Sequence, residues 1–138
     1  MKKPLLCICL IMLWIGFAHA QTASYKVVFD MTSRDTVNQQ SVIREIGLIM
    51  DSNPAAKLEV VVYGQGIDLV VKDRSAQQSA VQKLMASNKA TFKVCAMTMK
   101  RTGIGQAQLL PGVVVVPDGI FEIISKQREG WGYIKVAH

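Results

Sequence analysis

The chain is poor in the side chains that most enzyme chemistries need. It has only two histidines, His19 near the start and His138 at the last position. A Cys-His hydrolase needs an imidazole held against its nucleophile, and a Ser-His-Asp triad needs the same group; neither histidine is placed to be a dependable base, so neither chemistry is expected. The 10 acidic residues are scattered, which leaves no visible pair of carboxylates for glycosidase-type acid/base work. Basic residues are scattered too. Lys100-Arg101 is a pair rather than a patch, and no aromatics are interleaved with it, so nucleic acid is not an expected partner. Tyr63-Gly64-Gln65-Gly66 carries a lone G-x-G, with no third glycine and no downstream acid to complete a dinucleotide fingerprint. It reads as a tight turn. No cofactor and no metal are expected.

Cysteine is scarce as well, and its placement is informative. Two of the three cysteines, Cys7 and Cys9, lie in the apolar run Leu5 to Phe17. That run follows the basic Lys2-Lys3 and precedes Ala18-His19-Ala20, the order of a secretory signal peptide cleaved after Ala20. Thirteen apolar residues are too few for a comfortable membrane span, which takes about 18 or more; an uncleaved anchor is the alternative. Gln21 at the cleavage site excludes lipid attachment there. The expected product is a periplasmic or secreted domain, residues 21–138, with a single thiol, Cys95, and no internal disulfide. Without Lys2 and Lys3 the Lys+Arg count falls from 16 to 14 against 10 acids, a mildly basic net charge of +4.

What remains alternates strands and helices. Tyr25 to Asp30 reads as a strand, Asp35 to Asp51 as a helix with Val42, Ile43, Ile46, Ile49 and Met50 on one stripe, and Leu58 to Tyr63 as the returning strand. Ile67 to Val71 is a short apolar segment, and Ser75 to Ser87 a second helix. Thr91 to Cys95 forms the next strand. The four valines Val113 to Val116 read as a strand buried on both faces. Pro117-Asp118-Gly119 opens a helix that runs to about Arg128, and Trp131 to Val136 is an edge strand. The pattern predicts one three-layer α/β domain with a mainly parallel sheet and no linker or repeat.

Cys95 falls at the carboxyl end of its strand, where open α/β sheets place ligands. Thr98 is read as the cap of a turn leading through Lys100 and Arg101 to Gly103. The turn's N–H groups and the two cations favour a thiolate. The plain alternative is a small buried hydrophobe.

The second half resembles the DsrE/DsrF-like family, specifically its exported single-domain members. The resemblance rests on Phe92-x-x-Cys95-x-x-Thr98-Met99, Gly103-Ile104, Leu110-Pro111-Gly112-Val113, Pro117-Asp118-Gly119-Ile120 and Gln127-x-x-Gly130-Trp131-x-Tyr133-Ile134, and extends more loosely back to Tyr25. It implies a flavodoxin-like fold with about five strands, assembly as a homotrimer or homohexamer, and sulfur carried as a persulfide on a cysteine matching Cys95. Such a sulfur carrier or sulfurtransferase has a thiol-bearing donor or acceptor protein as a further partner. Gly64 and Gly66 would shape the opposite wall of the pocket; Thr98, Lys100 and Arg101 would stabilise the thiolate or an anionic sulfur donor. Tyr63 stands where many relatives have histidine, so no imidazole is carried over to this site.

Two other readings stay open. If the strand continued past Cys95, then Cys95, Met97 and Met99 would share a face and offer three sulfur ligands to Cu(I). Alternatively the protein is a non-enzymatic oligomeric module that binds a ligand or partner, Cys95 is incidental, and Trp131 and Tyr133 serve an interface.

Overall fold

The computed structural model describes residues 24–136. The expected signal peptide and cleavage site, with Cys7, Cys9, His19 and His138, lie outside the described residues.

Five strands form one sheet: β1 (Lys26–Met31), β2 (Lys57–Val62), β3 (Ala90–Cys95), β4 (Val114–Val116) and β5 (Gly132–Lys135). Their order is β4-β3-β2-β1-β5, and every pairing is parallel. Helix α1 (Thr36–Ser52) joins β1 to β2, α2 (Gln78–Ala86) precedes β3, α3 (Ala96–Thr102) follows it, and α4 (Gly119–Arg128) joins β4 to β5. The chain steps in one direction from β1 to β4 and then returns past β1 to place β5. With right-handed crossovers, that reversal sends α4 to the face opposite α1 and α2.

The two faces differ in chemistry. In β1, Val27, Phe29 and Met31 point into the large apolar core; so do Leu58, Val60 and Val62 of β2, and Ala90, Phe92 and Val94 of β3. There they meet Val42 and Ile46 of α1 and Val81 of α2. Each fully buried side chain of this size contributes about 1.5–3 kcal/mol, so this face supplies most of the stability. The alternate residues point to α4, where the apolar cluster is only Val28, Val61 and Ile123, flanked by half-buried Tyr63 and Trp131. An ionic group also occupies that face. Lys93 Nζ lies 3.0 Å from Glu59 Oε2 and 2.6 Å from Glu122 Oε1 of α4.

Local signals account for the helix ends. The Asp35 carboxylate accepts from the Val37 N–H at 2.8 Å and starts α1. The Asp118 carboxylate accepts from the Ile120 and Phe121 N–H groups at 2.8 and 3.2 Å and starts α4. Gly103, at φ 70°, closes α3 in the left-handed conformation.

Several expectations need correction. The segment after Tyr63 is more than a tight turn: Gly64–Val70 is a 3₁₀ helix whose Ile67, Leu69 and Val70 are buried in the main core. The valine run is not a doubly buried strand. β4 is short and sits at the sheet edge, with Val114 48% exposed. Nor is Thr98 a cap. The helix begins at Ala96, which makes Cys95 itself the N-terminal boundary residue and puts Thr98 inside the first turn.

Candidate functional site

Residues 91, 93 and 95 alternate with the core-facing residues of β3, so Cys95 points to the α4 face of the sheet. It is the last residue of β3. The chain then turns into α3 on one side, while β4 leads into α4 on the other, and the carboxyl ends of the strands open between them. Gly119, the first residue of α4, fills the resulting gap without a side chain. A Cβ there would lie 3.2 Å from Cys95 Cβ, 3.3 Å from Val61 Cγ1 and 3.5 Å from Tyr63 Cδ1. Glycine therefore lets the α4 backbone approach the thiol closely.

Cys95 is 4% exposed, yet it lines a cavity of about 510 Å³ with Thr32, Tyr63, Gly64, Thr98 and Arg101. Met97 and Ile120, both exposed, stand at its rim. Burial pushes the thiol pKa up, but the N–H groups of Gly119, Thr98 and Met97 and the Thr98 hydroxyl outweigh it, so the net direction is down. The Thr98 hydroxyl, itself buried, also accepts from the Gly64 N–H at 3.1 Å and so joins β3's turn to β2's.

Beside the thiol lies a polar group centred on Asp30, which is 5% exposed. Its carboxylate accepts from the Tyr133 hydroxyl at 2.7 Å and from Lys135 Nζ at 3.1 Å. Lys135 donates to Thr32 Oγ1 at 2.8 Å and sits 5.9 Å from the centroid of the Tyr63 ring. Burial raises the Tyr63 pKa, and the neighbouring Asp30 charge raises it further, so Tyr63 stays a neutral phenol. It has no readily lost proton to offer as an acid at neutral pH. Among the described residues no cluster of three or more His, Cys, Asp or Glu is placed to hold a metal ion.

Of the residues singled out in the sequence, Gly64, Thr98 and Arg101 line the cavity with Cys95. Gly66 lies beneath it instead, pressed against β1, and a Cβ there would meet the Met31 carbonyl oxygen at 2.6 Å. Lys100 is exposed and does not line the cavity, and the groups that lower the thiol pKa are N–H and hydroxyl dipoles rather than the Lys100-Arg101 pair. The premise for three sulfur ligands on one strand face fails: after Cys95 the chain is helical, Met97 is 58% exposed, and Met99 is in the core at 7%. Sequence reading missed Gly119 and the Asp30 group. The first had a signal in Pro117-Asp118-Gly119, where a capping acid precedes glycine; the second depends on β5 pairing beside β1, which adjacency along the chain does not reveal.

These features define a small parallel α/β protein with one sheltered thiol at the carboxyl edge of its sheet. The chain belongs to the DsrE/DsrF-like family, whose model matches residues 16–136. It is similar to the protein of unknown function MTH1491 from Methanobacterium thermoautotrophicum, at 31% identity and TM-score 0.76, over 80% of this chain and 98% of that one. It also shares its fold with the conserved protein of unknown function BT1422 from Bacteroides thetaiotaomicron (13% identity, TM-score 0.68, 86% of this chain and 100% of that one). The ychN protein from E. coli shares the fold too (13% identity, TM-score 0.69, 81% and 98%). The comparison with curated proteins gave no match.

Proposed function

We propose that the protein carries sulfane sulfur as a persulfide on Cys95, acting as a sulfur carrier or sulfurtransferase. The observation that carries this reading is the environment of Cys95: the thiol opens on a cavity of about 510 Å³ and is depressed in pKa by N–H groups from two elements. A nucleophilic sulfur needs both access and thiolate character. Family membership supports the same chemistry. The test is the intact mass of protein isolated under alkylating conditions. The reading expects a sulfur atom added at Cys95 and absent from Cys95→Ser; unmodified protein after exposure to persulfide donors, or full activity in Cys95→Ser, would refute it.

The same proposal places the mature chain outside the cytoplasm, following the Lys2 to Ala20 pattern, as a homo-oligomer. Phe121 and Ile124 on α4, exposed at 60% and 39%, support an assembly that covers them. Light scattering on the mature chain tests the oligomer, and N-terminal sequencing of the exported product tests cleavage before Gln21.

A further inference from the structure

A second cavity, of about 440 Å³, adjoins the thiol's and shares Gly64 and Arg101 with it. Three arginines line it: Arg34 from the β1–α1 loop, Arg74 from the segment before α2, and Arg101 from the last turn of α3. They are far apart in sequence, so it is the fold that brings them together. Among the described residues Arg34 and Arg101 have no acidic partner, and the one acid in the cavity wall, Asp68, lies 3.4 Å from Arg74 in a solvent-exposed pair. Such an exposed pair contributes little and yields readily to a better anion. Guanidinium groups pair with planar oxyanions through parallel hydrogen bonds, and three facing one cavity with a single carboxylate among them make an anion site.

Resting on the sulfur-carrier reading, we propose that this cleft holds the carboxylate end of a low-molecular-weight thiol or its persulfide, while the sulfur end enters the adjoining cavity and reaches Cys95. Two cavities side by side suit a ligand several bonds long, with an anion at one end and sulfur at the other. Met97 and Ile120 give the sulfur end an apolar rim, and the volume is that of a small-molecule site. In the transfer step the Cys95 thiolate attacks the outer sulfur of R–S–SH. A bond forms between Sγ and that sulfur, the R–S to S bond breaks, and RS⁻ leaves with the bonding electron pair. The proton stays on the transferred sulfur, giving Cys95–S–SH with no net oxidation.

The test separates binding from sulfur transfer. Full-length mature Cys95→Ser is titrated calorimetrically with S-methylglutathione and with its diethyl ester, which lacks the free carboxylates. Saturable binding of the acid is expected, weakened about tenfold or more by the ester and by Arg34→Ala or Arg101→Ala, in line with loss of a charge-assisted pair. Arg128→Ala, an exposed change on α4, leaves binding unchanged. Absence of binding, equal binding of acid and ester, or indifference to both arginine changes overturns the proposal; so does inorganic sulfate that binds as tightly as S-methylglutathione. None of these outcomes depends on whether Cys95 accepts sulfur, which the mass measurement reads on the unsubstituted protein.

Discussion

The Tyr133 hydroxyl donates to Asp30 Oδ2 across 2.7 Å, joining the edge strand β5 to the buried end of β1. Asp30 draws Tyr133's pKa up to about 12 through this hydrogen bond, with burial adding to the effect. Tyr133→Phe should cost about 1–2 kcal/mol, because it removes one of the hydrogen bonds to a buried carboxylate. The midpoint of denaturant unfolding measures it. A phenol whose folded pKa is raised stabilises the fold below pH 10, and that contribution is lost as pH rises toward 12. Wild-type stability should therefore fall over this interval more steeply than that of Tyr133→Phe.

Gly119→Ala puts a methyl group 3.2 Å from Cys95 Cβ and 3.3 Å from Val61 Cγ1, so the start of α4 and these side chains are expected to part by a few tenths of an ångström. The expected cost is about 1–3 kcal/mol from overpacking. The shift also withdraws the Gly119 N–H from the thiol. The pH midpoint of Cys95 alkylation should rise relative to wild type.

Thr98→Val keeps the side-chain shape and removes the hydroxyl. The Gly64 N–H then loses its acceptor, which should cost about 1–3 kcal/mol. The thiol loses a donor as well, so thiolate absorbance near 240 nm should appear at higher pH. Thr98→Ser should restore both.

Lys93 is the only cation that meets Glu59 among the described residues. Lys93→Met would leave Glu59, 3% exposed, as an uncompensated buried charge, at a cost of about 3–5 kcal/mol. Glu59→Gln should be far milder, since its amide oxygen can still accept from Lys93. Burial raises the Glu59 pKa more than Lys93 lowers it, so its contribution is present below about pH 4.5 and lost as pH rises through the folded pKa. Burial also works to raise Glu122, but Lys93 outweighs it and holds that carboxyl down; its contribution is lost as pH falls through the folded pKa. Relative to wild type, Glu59→Gln should gain stability as pH rises from acid toward neutral, and unfolding midpoints across that range check the sign.

Much of the fold could be read from the chain because periodicity reports burial. The stripe of Val42 and Ile46 and the alternation of Phe92 and Val94 each predicted the face they bury. The valine run misled because four β-branched residues look alike whether a strand is central or marginal; only the order β4-β3-β2-β1-β5 decides that. At the site, Cys95 could be placed at a strand end from its own neighbours. Its surroundings could not, because Gly119 reaches it across the sheet face and Arg34 and Arg74 reach the adjoining cleft from distant loops. Lys100 misled in the opposite sense: nearness in sequence suggested an influence on the thiol, but one further step round the helix turns it to solvent.

Cys95 is only 4% exposed, so its thiol cannot meet a flat protein surface. On the proposed sulfur-carrier reading, a macromolecule that takes sulfur from it must insert a slender projection, such as a loop tip or a chain end with its own thiol, past Met97 and Ile120. The recess also holds bulky oxidants at a distance, so the same wall that restricts access to the thiol shelters it from over-oxidation.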